Sequence, residues 1–206
     1  MRQFHTIDDF RKGYVADNEI ANEFITNNKQ LSIPSLKAFK DKYYSKKPSL
    51  GSSFSERVFS YWLYKEVEQF TPLVIRTQEN LLMTLPLGTE VQVKKSVDLS
   101  LEYNNGKTFI EFKTNIDMIE KDLYKFYLHH RFSKGEQSKK LLFVWESTDS
   151  RFYKNGSDSQ YFSLLNLALQ DRVIDEFIYL PIDPDDPLNE DFLVKELGKL
   201  KNFLTI

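Results

Sequence analysis

Several residue types and patterns are absent or rare in this chain of 206 residues. Cysteine is absent, which excludes disulfides and thiolate metal sites and fits a reducing compartment. No apolar run approaches the roughly 18 residues that a membrane-spanning helix needs. Neither charge sign dominates, since the formal net charge is −2. No overall positive field would therefore attract nucleic acid, and any nucleic-acid surface must be a local patch.

The first ten residues, MRQFHTIDDF, include acidic side chains and lack the apolar core of an export signal. With the absence of cysteine and of long apolar segments, this predicts a cytoplasmic protein without a membrane partner. Hydrophobic residues make up 41% of the chain and aromatic residues 15%. That composition is sufficient for a sizeable core, and the length predicts a single domain over residues 1–206.

The order of helical and strand-like patterns predicts an α/β domain. Apolar residues recur at helical spacing near the start, which predicts a helical N-terminal extension over residues 1–50. Over residues 53–146 the order is helix, three strand-like segments (LVIRTQ, TEVQVKKSVDLSLEY and KTFIEFK), a second helix and the strand KLLFVWE. Residues 147–206 add a helix, the strand EFIYLPI and a last helix, which complete the domain.

The stretch SVDLSLEYNNGKTFIEFKTNID places charged residues among apolar ones. The NNG turn predicts an antiparallel hairpin. Because alternate side chains of a strand share a face, Glu111 and Lys113 are expected to point the same way. By the same alternation, Asp98 faces away from Val97 and Leu99. The hairpin would then bring Asp98, Glu111 and Lys113 together at one end of a sheet.

These three side chains suit metal-assisted phosphate chemistry. Two carboxylates, with the backbone carbonyl of Phe112 between Glu111 and Lys113, offer Mg²⁺ an all-oxygen site. Such an ion polarises a phosphate and lowers the pKa of a bound water. Lys113 could orient that water or stabilise the charge that develops in the transition state. The alternative is a solvated hairpin that carries Glu111 and Lys113 as an exposed ion pair.

On a hairpin between two helices, Asp98 is followed after twelve residues by Glu111-Phe112-Lys113. This pattern resembles the PD-(D/E)xK nuclease superfamily. The resemblance covers about residues 53–146. It implies a restriction-endonuclease-like αβββαβ core with a mixed central sheet flanked by helices, here with N-terminal and C-terminal helical additions. It also implies Mg²⁺-dependent hydrolysis of DNA, with Asp98, Glu111 and the Phe112 carbonyl as metal ligands and Lys113 as a catalytic residue.

One departure from the superfamily pattern and one further match bear on the site. Val97 stands where the motif has a proline, which many members lack. The superfamily also carries an acidic residue in its first core helix, and Glu56 occupies the matching place. Ser53 and Glu56 equally fit the S-x-x-E pattern of a capping box. Glu56 is therefore either a helix cap or a fourth catalytic residue.

Basic residues at three places are candidate DNA contacts. Lys121 and Lys125 lie four residues apart on the predicted polar face of the helix after the motif, which often lies near the site in this superfamily. Lys46 and Lys47 follow a pair of tyrosines, and Arg151 opens the loop RFYKNG. Basic side chains beside aromatic ones can follow a phosphate backbone. Alternatively, these basic residues simply lie on solvated helix faces or at helix ends and do not contact DNA.

Among the superfamily's functions, the chain is most compatible with a type II-like restriction endonuclease that cleaves double-stranded DNA. It has no GxxxxGK[ST] motif of an ATPase, and its flanking helices could serve recognition or form a homodimer. A second enzymatic hypothesis is a repair or recombination nuclease of the same fold, which would recognise the structure of DNA and not its sequence. The alternative that is not an enzyme is a DNA-binding or interaction module that has lost catalytic activity.

Overall fold

The computed structural model describes residues 1–46, 51–68, 74–86, 90–104, 106–114, 116–133, 138–146, 160–181 and 190–204. The strands are β1 (Arg2–Phe4), β2 (Val74–Pro86), β3 (Glu90–Tyr103), β4 (Gly106–Lys113), β5 (Ser138–Glu146) and β6 (Glu176–Pro181). The helices are α1 (Ile7–Gly13), α2 (Glu19–Asn27), α3 (Ile33–Lys46), α4 (Gly51–Val67), α5 (Glu120–Phe132), α6 (Gln160–Gln170) and α7 (Glu190–Leu204). Short 3-10 turns lie at Val15–Asp17 and Ile116–Met118. Of the helices in these ranges, none is long and apolar enough to cross a membrane.

The described strands form one six-stranded mixed sheet in the order β1-β2-β3-β4-β5-β6. Neighbours from β1 to β4 are antiparallel, whereas β4, β5 and β6 are parallel. Tyr103 pairs with Gly106 across the tight turn between β3 and β4, as the NNG pattern predicts. The α/β class is confirmed, and so is the order α4-β2-β3-β4-α5-β5 that the sequence predicts over residues 53–146.

Two hydrophobic clusters lie on opposite faces of the sheet. On the first face, α1 to α4 and α7 pack against the sheet, and on the second face α5 and α6 do so. Strand β5 is buried on both faces, as expected for a parallel strand covered by helices on each side. Its residues alternate between the clusters, with Leu141, Phe143 and Trp145 in the first and Leu142 and Val144 in the second.

The N-terminal segment belongs to the first cluster and also to the sheet. Thr6 and Asn18 cap α1 and α2 by accepting hydrogen bonds from the backbone N–H groups of Asp9 and Ala21. The expectation that residues 1–50 are helical throughout is wrong at the start, because Arg2 pairs with Thr77 in an antiparallel ladder. This short strand covers the edge of β2 from Ile75 to Thr77, where the backbone groups would otherwise be open to another chain.

The other edge of the sheet is covered by α7. The carboxylate of Glu196 accepts a hydrogen bond from the backbone N–H of Tyr179 at 3.0 Å. The ammonium group of Lys199 donates to the backbone carbonyl of Phe177 at 2.9 Å. Both backbone groups belong to β6. Two side chains one helical turn apart therefore satisfy the outer edge of the last strand.

Strands β2 and β3 exchange faces part-way along their length. Ile75 and Leu99 pack in the first cluster, whereas Leu81 and Val97 pack in the second. Regular alternation would place Ile75 with Leu81 and Val97 with Leu99. The prediction that Val97 and Leu99 share a face is therefore wrong. In β2 the exchange falls at Gln78, whose φ of 54° is left-handed, and in β3 it falls between Val97 and Leu99.

Phe39 tests the attachment of the N-terminal helices to the sheet. It is fully buried, and its ring contacts those of Phe59 and Trp145 at centroid distances of 5.0 and 5.4 Å. We expect Phe39→Ala to lower the free energy of unfolding by about 3–5 kcal/mol because it leaves a cavity at this junction. Urea denaturation measures the change. Tyr124→Ala, at an exposed aromatic residue of α5, is the control and should stay within about 0.5 kcal/mol. A loss below about 1.5 kcal/mol for Phe39→Ala would contradict the packing described here.

Candidate active site

The candidate site lies where β3 and β4 separate. The β3–β4 ladder runs from Tyr103 and Gly106 to the pair Leu99–Ile110. Beyond that pair, β4 continues beside β5, and β3 continues beside β2. The next residues, Asp98 in β3 and Glu111 in β4, therefore stand at a fork in the sheet. Side chains, instead of a backbone ladder, connect the two strands at this point.

Asp98 connects the two sides of the fork. Its Oδ2 accepts a hydrogen bond from the backbone N–H of Phe112 at 3.0 Å, and its Oδ1 accepts one from Nε2 of Gln78 at 3.2 Å. One carboxylate is thus held by β4 and by β2 together. Each oxygen accepts one of these hydrogen bonds and keeps a second lone pair for a further ligand. The Asp98 side chain is half-buried.

Glu111 and Lys113 lie together, as the alternation along β4 predicts. The ammonium group of Lys113 donates to Oε1 of Glu111 at 2.8 Å and to the carbonyl of Phe112 at 3.0 Å. It also lies 3.1 Å from Oδ2 of Asp122 in α5. Only 5% of the Glu111 surface is exposed, so the alternative of a solvated ion pair on a hairpin is wrong.

Lys125 completes the network from α5. Its ammonium group lies 2.7 Å from Oε2 of Glu111 and 3.1 Å from Oδ1 of Asp122. It also donates to the backbone carbonyl of Ser96 at 3.0 Å, on the part of β3 that has left β4. The alternative of a solvated helix face is wrong for Lys125, because it is 7% exposed. Lys121, one turn earlier, is exposed as predicted.

The electrostatics of the network reflect its burial. Burial and the nearby charge of Asp98 raise the pKa of Glu111 to about 7, against the opposing effect of Lys125 and Lys113. Burial alone would lower the pKa of Lys113, but the carboxylates of Glu111 and Asp122 outweigh it and the pKa is raised. Lys113 therefore stays charged at neutral pH, while the burial of Glu111 outweighs the two lysines that favour its charged form.

The oxygen atoms at the fork fit a magnesium ion. Oε2 of Glu111 is buried and lies 2.7 Å from the ammonium group of Lys125, so an ion bound by this oxygen would share it with Lys125. Asp98 and the carbonyl of Phe112 are further hard oxygen donors. The described residues contain no cluster of three or more His, Asp or Glu that would bind a metal. The protein ligands would then be two carboxylates and one carbonyl, with waters completing the shell, as is usual for Mg²⁺.

Glu56 lies inside α4 and does not cap it. The helix begins at Gly51, and the hydroxyl of Ser53 accepts a hydrogen bond from Nε of Arg57 at 3.0 Å. The capping-box interpretation of Ser53 and Glu56 is therefore wrong. The prediction fails because helix α4 starts earlier than the apolar pattern indicates.

Glu56 instead faces the fork. The hydroxyl of Tyr14 donates a hydrogen bond to its Oε1. The pKa of Glu56 is raised, chiefly by burial, and the charge of Asp98 acts in the same direction. Hydrogen bonds from Tyr14 and Gln78 act in the opposite direction. Glu56 and Asp98 are thus close enough to influence each other, with Gln78 in contact with both.

Three residues of the site are not found by the sequence reasoning: Tyr14, Gln78 and Asp122. Asp122 leaves a sequence signal, since it stands three residues before Lys125 beside the apolar stripe of α5. Tyr14 and Gln78 leave none. The remaining DNA-contact candidates are not placed: Lys47 and Arg151 lie outside the described residues. Lys46 ends α3, but its side chain is not described.

No family model and no curated protein matches this chain. Among solved structures, the crystal structure of protein VC1899 from Vibrio cholerae is similar with a TM-score of 0.46 and 13% sequence identity. The similarity covers 97% of this chain and 53% of that chain. The chain therefore spans about half the length of VC1899.

Lys125 provides a test of the buried network. Lys125→Met keeps an unbranched chain but removes the charge that faces Glu111 and Asp122. We expect the free energy of unfolding to fall by about 3 kcal/mol, since a buried carboxylate loses one of its partners. Lys121→Met, on the exposed side of the same helix, should change it by less than about 0.5 kcal/mol. Equal effects of the two substitutions in chemical denaturation would show that the network is not a buried one.

Proposed function

We propose that this protein is a Mg²⁺-dependent DNA endonuclease that hydrolyses phosphodiester bonds. The observation that carries the proposal is the convergence of Asp98, Glu111 and Lys113 at the fork between β3 and β4. Phe112 connects these groups, because its N–H donates to Asp98 and its carbonyl accepts from Lys113, which also donates to Glu111. The convergence also agrees with the order of elements and the D…ExK spacing that resemble the PD-(D/E)xK superfamily.

In the proposed reaction, Asp98, Glu111 and the carbonyl of Phe112 hold the ion. A magnesium ion bound there would polarise the phosphate and lower the pKa of a water molecule. Lys113 orients the attacking water and stabilises the negative charge that develops on the phosphate. The water oxygen forms a bond to phosphorus while the bond to the leaving sugar oxygen breaks. The attacking water releases one proton to solvent, and the leaving oxygen takes up one proton from solvent.

Other residues hold these groups in place. Asp122 and Lys125 fix the ammonium group of Lys113 and the carboxylate of Glu111 from α5. Glu56, held by Tyr14, supplies a further acidic group at the edge of the site. Such supporting contacts keep reacting groups within the narrow range of positions that catalysis needs. We infer that Glu56 assists through a water molecule or a second ion.

For the substrate, we propose double-stranded DNA cleaved at a defined sequence, as by a type II-like restriction endonuclease. A homodimer would place one site on each strand. Incubation with unmethylated plasmid and Mg²⁺, followed by sequencing of the ends, tests this. Ends that share one sequence support restriction. Cleavage confined to flaps, junctions or free ends would instead support the repair or recombination nuclease.

A module that binds DNA without turnover is the second candidate. The favouring observation is that both carboxylate oxygens of Glu111 face lysine ammonium groups, at 2.8 and 2.7 Å. The buried charge is thus compensated by the protein itself. This candidate predicts DNA binding that is equal with Mg²⁺ and with EDTA, and no cleavage. The endonuclease predicts cleavage that EDTA abolishes.

Asp98→Asn tests the metal role with little change in structure. The asparagine oxygen still accepts the hydrogen bond from Phe112, and its NH2 group faces the Gln78 amide, which can turn over to accept from it, but the negative charge is lost. We expect cleavage to fall by roughly 10²-fold or more, the scale for losing a key electrostatic group, with an unchanged melting temperature. Asp175→Asn is the matched control, because Asp175 also accepts a hydrogen bond from a strand N–H, that of Lys140 at 2.7 Å. Normal cleavage by a folded Asp98→Asn protein would refute the assignment.

Glu56→Gln tests whether the fourth acid serves the site. Glutamine keeps an oxygen for the hydroxyl of Tyr14 and removes only the charge. We expect the cleavage rate to fall at least tenfold, which is about 1.4 kcal/mol in activation free energy, while the melting temperature stays level or rises. Glu23→Gln, on the exposed side of α2, should leave the rate unchanged. Equal rates for the two variants in a plasmid assay would make Glu56 a structural residue.

A further inference from the structure

Gln78 has a backbone conformation that glutamine rarely adopts. Its φ of 54° lies in the left-handed region, although it stands in the interior of β2. Side chains with a Cβ are disfavoured there, and glycine is the usual occupant. Among the described residues, Arg172 is the other non-glycine with a left-handed φ, at 55°. Arg172 lies in a turn after α6, where such a conformation is common.

The unusual residue stands opposite Asp98. The β2–β3 register pairs Thr77 with Leu99 and Glu79 with Val97, so Gln78 and Asp98 face each other between these pairs. Their contact is made by side chains, with Nε2 of Gln78 donating to Oδ1 of Asp98 at 3.2 Å. Backbone strain at a site of this kind is retained where the surrounding structure requires it.

The amide of Gln78 completes the fixation of Asp98. The backbone N–H of Phe112 donates a hydrogen bond to Oδ2 of Asp98. With this bond alone, the carboxylate could still rotate about Oδ2. The bond to Oδ1 removes that rotation. Glycine would suit the backbone better but has no amide. Asparagine tolerates the left-handed region, yet its amide is one methylene shorter.

We propose that Gln78 is a positioning residue that orients the Asp98 carboxylate toward a divalent cation at the fork. The proposal rests on the function proposed above and adds a residue to its site. Glutamine is kept at this strained position because its side chain reaches Asp98. Loss of a residue that orients a metal ligand typically costs 10–100-fold in metal affinity or activity.

The test compares Gln78→Gly and Gln78→Asn with Arg172→Gly in three measurements. These are the melting temperature, Ca²⁺ affinity by calorimetry and plasmid cleavage with Mg²⁺. Gln78 is exposed, so glycine should leave the melting temperature at or above the wild-type value. Both Gln78 variants should lose about tenfold or more in Ca²⁺ affinity and in cleavage rate. Arg172→Gly removes a side chain from the same left-handed backbone conformation away from the site. It should leave the Ca²⁺ affinity and the cleavage rate unchanged.

The outcomes separate this inference from the proposed function. Wild-type Ca²⁺ affinity in Gln78→Gly would overturn the positioning role, whatever the wild-type protein cleaves. So would a clear drop in its melting temperature, since the losses would then follow from damage to the fold. If the wild-type protein binds Ca²⁺ more tightly than both variants but cleaves no DNA, the inference stands and the nuclease function falls. A wild-type protein that binds no Ca²⁺ refutes both.

Discussion

The carboxylate of Glu111, buried in the middle of the sheet, is the constraint on which the rest of the site depends. An isolated buried charge is costly unless it is paired and hydrogen-bonded. Lys113 faces it from the same strand and Lys125 from α5, and Asp122 faces both lysines. The pKa of Glu111 is raised even so, chiefly by its burial. The arrangement thus places a carboxyl group inside the protein, beside lysines that limit the cost of its charged form.

That charge network explains two irregular features of the fold. The β3–β4 ladder ends at Leu99 and Ile110, one residue before the two acids, so that side chains can occupy the gap between the strands. Lys125 satisfies the carbonyl of Ser96 that the separation exposes. On the other side, β2 turns over at Gln78. Regular strands would bury more uniform surfaces, and the departures from regularity coincide with the candidate site.

The sequence predicts the hairpin and its acids well because the signals are local. A tight NNG turn fixes the register, and strand alternation places Glu111 beside Lys113. Long-range contacts leave no such signal. The pattern cannot show that Lys125 is buried by Glu111, that Tyr14 reaches Glu56 or that β2 changes face at Gln78. The strand β1 is missed because three residues carry too little periodicity to separate a strand from the start of a helix.

We propose that the fork between β3 and β4 binds a divalent cation through Asp98 and Glu111. Anomalous diffraction from a crystal soaked in Mn²⁺, which takes the same oxygen ligands as Mg²⁺, tests it most directly. We expect an anomalous peak within coordination distance, about 2.0–2.3 Å, of both carboxylates and of the carbonyl of Phe112. An empty fork in crystals whose Mn²⁺ binds elsewhere, or a peak that touches neither Asp98 nor Glu111, would contradict it.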